Sequence, residues 1–161
     1  MVRLFITICV LIGVIGSQEA MAHRLPVATM TIAHVGDADV GEAPATQVTL
    51  RIHGGDAFKV LEELGAPALS LDNVAIGRLV NYAGARMTWN PSGMTPMGGE
   101  VDGNWVFLYW EGEGHDVLDD TSLLSDISKD WMTQVTVISP DGERSSRAFH
   151  KGAKPPVHRH D

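Results

Sequence analysis

The stretch Thr46-Gln-Val-Thr-Leu-Arg-Ile-His53 alternates without interruption. Val48, Leu50 and Ile52 fall on one side of an extended chain, and Thr49, Arg51 and His53 fall on the other. That period of two belongs to a half-buried strand with His53 on its solvent face. Downstream, Gly54-Gly55 breaks the strand and Asp56 is placed to cap a helix. Phe58, Leu61 and Leu64 recur at helical spacing, so the helix is expected over Ala57–Leu64, ended by Gly65 and Pro67. Asp72–Tyr82 repeats the pattern through Val74, Ile76, Leu79 and Val80 and reads as a second short helix, with a strand as the alternative. Upstream, β-branched Val27–His34 reads as a first strand, and Val35–Ala45, with Gly36, Asp37, Asp39, Gly41 and Pro44, reads as a loop.

Beyond the helical stretch the chain returns to strand signals. Ala85–Trp89 is a short strand and Asn90-Pro91-Ser92-Gly93 a turn. Met94–Val101 carries Pro96 and two glycines and shows no clear period. Asp102-Gly103 turns the chain into Asn104–Glu111, which bears aromatic residues on both faces. Glu111–Asp116 reads as an acidic loop, and Val117–Ile127 mixes turn and strand signals. Trp131–Ser139 and Arg144–His150 are strands joined by Pro140-Asp141-Gly142. Six or seven short strands with two helices after the second predict a mainly β fold: an antiparallel, immunoglobulin-like β-sandwich with a short helical insert. No repeat or linker divides residues 23–150.

The two ends read differently. Met1–Arg3 is basic, Leu4–Gly16 is apolar, and Ser17–Ala22 closes on Ala20-Met21-Ala22. This is the pattern of a signal peptide over residues 1–22, cut after Ala22, which makes His23 the mature N-terminus and the protein periplasmic or secreted. The apolar run is shorter than the roughly 20 residues that span a bilayer, so no transmembrane segment is expected after cleavage. Cys9 is the only cysteine of the 161 residues and leaves with the signal. Ile8 stands where a lipoprotein needs a small residue, which argues against lipidation. Without cysteine there is no disulfide, and a soft-metal site must use His, Met or carboxylate. The net charge of −8, with no basic stripe, argues against nucleic acid as a partner. Residues 151–161 hold His158 and His160 and read as an exposed, mobile tail.

Three groups of residues invite a metal. A mature N-terminal His23 offers an α-amine and an imidazole that chelate one ion. If His34 lies opposite Thr46 in a hairpin, Val27 falls beside His53, so His53 can join that chelate. His34 then stands eleven residues from His23, roughly 36 Å along the strand, and contributes nothing. An amine and two imidazoles favour Cu(II). The second group is Met87, Trp89, Met94 and Met97, whose thioethers select Cu(I), with Trp89 as an aromatic lid and a Met-x-x-Met spacing like that of exported copper-binding proteins. Alternatively, these methionines fill a core. The third is the tail pair His158 and His160, too mobile for catalysis.

Enzyme signatures are missing. There is no Gly-x-Ser-x-Gly elbow, no His-Glu-x-x-His and no phosphate-binding glycine loop. The carboxylates Asp119-Asp120 and Glu111/Glu113/Asp116 lack EF-hand spacing and read as solvated loops. The expected function is a non-enzymatic, exported copper-binding or copper-handling protein. Its rivals are an interaction module that docks on an envelope or membrane protein, and a copper-dependent oxidase or oxygenase.

One resemblance runs through these pieces. His23, the strand Val48–Ile52 running into acidic Asp56–Leu64, Gly99-Glu100-Val101, Trp105–Glu111, Leu123-Leu124-Ser125-Asp126 and Gln134-Val135-Thr136-Val137 together resemble a family of uncharacterised exported bacterial proteins. The resemblance implies an exported β-sandwich domain and no activity. The chain also echoes, more weakly, the periplasmic copper-binding proteins.

Overall fold

The alternating stretch around Leu50 lies in the interior of a six-stranded sheet. The computed structural model describes residues 27–36, 41, 43–91 and 93–150. These form β1 (Val27–Val35), β2 (Ala45–His53), α1 (Gly54–Glu63), α2 (Asn73–Gly84), β3 (Met87–Asn90), β4 (Thr95–Asp102), β5 (Trp105–Glu113), β6 (Val117–Thr121), β7 (Met132–Ile138) and β8 (Arg144–His150). The large sheet has the order β4-β5-β2-β1-β7-β8, and β3 pairs with β6 as a separate ribbon. β1 and β7 run parallel, and the other neighbours run antiparallel. The fold is mainly β and mostly antiparallel, with its helices after the second strand, as the sequence pattern predicts. Residues 1–26 and 151–161, with the readings made on them, lie outside the described residues.

One face of the sheet is dry. Ala28, Met30 and Ile32 of β1, Val48, Leu50 and Ile52 of β2, Val106, Leu108 and Trp110 of β5, and Val135 of β7 are buried. Fully burying a side chain of this size contributes about 1.5–3 kcal/mol, so the strand period alone selects this face as the interior. The layer above it is composite. α2 packs on β4 and β5, α1 packs on β2 and β5, and Met87, Leu118, Leu123 and Leu124 from the ribbon and the turn after it join the same core. The sandwich therefore closes its large sheet with helices and a ribbon. The opposite face of that sheet carries half-buried Trp105, Phe107 and Tyr109 along β5.

Local chemistry explains the helix starts. Asp72 Oδ1 accepts from the N–H groups of Val74 and Ala75 at 3.1 and 3.0 Å, which decides Asp72–Tyr82 in favour of helix. α1 begins sooner than the Asp56 cap requires. Its first turn follows β2 directly, so His53 becomes the N-cap and its Nδ1 accepts from Gly55 N–H at 3.2 Å. Asp56 falls inside the first turn instead, where its charge suits the positive end of the helix. Met94–Val101, without a period in the sequence, contains most of β4, and β5 runs two residues further than Glu111.

Candidate functional site

The β3 strand leaves α2 after a two-residue turn and points Met87 and Trp89 back toward the helix. The turn that follows, through a cis Asn90–Pro91 bond, returns the chain so that Met94 faces the same space. The result is a cavity of about 540 Å³. Val80, Asn81 and Gly84 of α2 and its C-cap Ala85 form one wall, Met87, Thr88 and Trp89 another, and Gly93, Met94 and Pro96 a third, with Trp110 of β5 at the sheet side. Met87 and Trp110 are buried, while Trp89 and Met94 are half-buried and packed against the core. Three of the four residues grouped from the sequence thus meet on one cavity.

Met97 does not join them. It sits where the β4–β5 register shifts between Pro96 and Gly98, is 60 % exposed, and lines two neighbouring clefts. The Met-x-x-Met pair is therefore split by the bulge. The larger of those clefts, about 600 Å³, also holds Glu111, Glu113 and Asp116. Gly93 lines both this cleft and the cavity, and at Gly112 a methyl group would overlap both Asp116 Oδ2 and Met94 Sδ. Only glycine admits the thioether and the carboxylate over the same stretch of β5.

His34 and His53 lie at opposite ends of the β1–β2 pair. His34 pairs with Thr46 and Thr29 with Arg51, which is the register expected from the sequence. Carried on by two residues, it sets Val27 beside His53. His53 meets the edge of Trp105, with ring centroids 5.4 Å apart, and Arg51 lies over the same indole at 4.4 Å. Because His53 Nδ1 accepts the cap hydrogen bond, its neutral ring carries the proton on Nε2. A metal at Nε2 would force that proton to Nδ1 and break the cap. At the far end, His34 stacks on His115 with centroids 5.0 Å apart. Nothing in the local sequence signals that pair, because His115 lies in an acidic loop read as solvated. Trp110 likewise reads in the sequence only as an aromatic strand residue.

Among the described residues no group of three or more His, Cys, Asp or Glu side chains has the geometry to hold a metal ion. A soft ion in the cavity would rest on thioethers. His23, His158 and His160 lie outside the described residues. None of the described helices is long and apolar enough to cross a membrane. No known protein family, curated protein or solved structure matches the chain.

Proposed function

We propose that the chain is an exported copper-binding protein without a reaction of its own, acting in the periplasm or outside the cell. The observation that carries this reading is the convergence of Met87 and Met94 on one cavity beside Trp89 and Trp110. Thioethers are soft and do not titrate, so they favour Cu(I) over harder ions, and an indole face beside them adds cation–π attraction. The mature chain would lack cysteine, which leaves methionine as its soft donor. The α-amine and ring of His23 form the second donor set, for Cu(II). His53 joins that set only at the expense of the α1 cap.

The test is a competition titration with Cu(I) and a chromophoric chelator, under reducing, oxygen-free conditions, on protein beginning at His23. Met87→Leu/Met94→Leu is expected to weaken Cu(I) binding by about tenfold or more, or roughly 1.4 kcal/mol. Each substitution conserves volume and costs under about 1.5 kcal/mol of stability, so the fold survives. Unchanged affinity would leave these methionines as core filling. A second reading, an interaction module, is favoured by the half-buried aromatic row Trp105, Phe107 and Tyr109 on the face of the sheet opposite the core. Protein that binds no copper in either oxidation state would move that reading ahead.

A further inference from the structure

The end of the sheet farthest from His53 carries a second histidine arrangement, independent of the thioether cavity. His34 is the penultimate residue of β1, and His115 stands in the loop after β5. Their rings lie 15° from parallel, with centroids 5.0 Å apart. The backbone under them is held in place. Thr46, opposite His34 in the β1–β2 register, is fully buried. Its hydroxyl donates to Gly114 O at 2.8 Å and accepts from Asp116 N–H at 2.8 Å, and Gly114 N–H donates to Pro44 O at 2.8 Å. The loop bearing His115 is therefore pinned to β2 on both sides of that residue.

His34 Nε2 lies 3.0 Å from the Asp116 carbonyl oxygen. A carbonyl oxygen can only accept, so Nε2 carries the proton and Nδ1 of the neutral ring keeps its lone pair. A histidine that ligates a metal ordinarily donates its other ring N–H to a carbonyl or carboxylate, which fixes the tautomer and the ring. His34 already has that arrangement, whereas His53 has the reverse one.

We propose that His34 and His115 form a site for one borderline divalent cation of the zinc class, bound through His34 Nδ1 and a ring nitrogen of His115. The spacing suits it. With metal–nitrogen bonds of about 2.0–2.1 Å and a tetrahedral angle, two imidazole centroids stand roughly 5 Å apart on one ion. The orientation of the rings is what must change. Stacked planes aim their lone pairs past each other, and His115, which is exposed, supplies the rotation. The neighbouring Glu113 and Asp116 give this end of the sheet negative charge, which favours a cation.

The test is titration of zinc chloride into isotope-labelled protein beginning at His23, following the ring nitrogens of every histidine by nuclear magnetic resonance. The resonances of His34 Nδ1 and of His115 are expected to move together and saturate at one zinc. His34→Gln keeps an N–H donor for the Asp116 carbonyl but removes the ligand, and should abolish the His115 response. His115→Ala should abolish that of His34. Met87→Leu/Met94→Leu should leave both responses intact, so loss of the copper reading would not touch this one. The proposal is overturned if zinc moves only other histidines, or if His115 still responds in His34→Gln.

Discussion

Tyr82 ties α2 to the turn that follows β6. Its hydroxyl donates to Asp126 Oδ1 at 2.7 Å and accepts from the Leu124 N–H at 3.0 Å. Leu124 is fully buried and adopts a φ of 63°, a left-handed conformation that leucine rarely takes. Leu124→Gly would relieve the backbone by about 1 kcal/mol but empty a core position worth about 2–5 kcal/mol, so burial decides that residue. Arg86 lies over the Tyr82 ring at 4.0 Å and pairs with Asp126, but that ion pair is partly exposed and contributes little. Tyr82→Phe should therefore cost about 1–3 kcal/mol in urea unfolding, chiefly through the unpaired Leu124 N–H. Burial first, and then the hydrogen bond to Asp126, raise the Tyr82 pKa well above its ordinary value of 10.0. A hydroxyl harder to ionise in the folded chain contributes stability that is complete below pH 10.0 and is lost as pH rises beyond it. Unfolding measured across that range should steepen in the wild type more than in Tyr82→Phe. Equal slopes would show that Tyr82 is not the titrating group.

At the scale of elements, β4 depends on Gly99. A Cβ there would lie 2.5 Å from Phe107 O, 2.8 Å from Leu108 Cδ2 and 3.0 Å from Ile76 Cγ2 of α2. The absent side chain lets α2 lie against the sheet. Gly99→Val is expected to push that helix away and cost about 1–3 kcal/mol or more, read as a lowered denaturant midpoint. An unchanged midpoint would mean that α2 rides freely on β4. The same residue explains why this segment was opaque in the sequence. A strand covered by a helix at a glycine, with a bulge at Met97 between Pro96 and Gly98, has no alternation to read. By contrast, β1 and β2 were legible down to their register, because both alternate and the loop between them leaves one pairing that buries the right face. α1 was legible as an element but not at its cap, where His53 serves both the strand and the helix.

At the scale of the whole molecule, local patterns stop being informative. The parallel pairing of β1 with β7 joins segments about a hundred residues apart, and no turn chemistry announces it. The composite layer of helices and ribbon over the sheet was hidden for the same reason. The candidate site divides along this line. Met87, Trp89 and Met94 are near in sequence and could be grouped by eye, whereas His34 and the Asp116 carbonyl meet across 82 residues. Met97 shows the reverse hazard, since closeness in sequence did not bring it to the cavity. X-ray absorption at the copper edge, on reduced, copper-loaded protein beginning at His23, reads the ligands themselves. The account predicts sulfur neighbours around the copper that disappear in Met87→Leu/Met94→Leu, and a shell of nitrogen and oxygen alone in the wild type would contradict it.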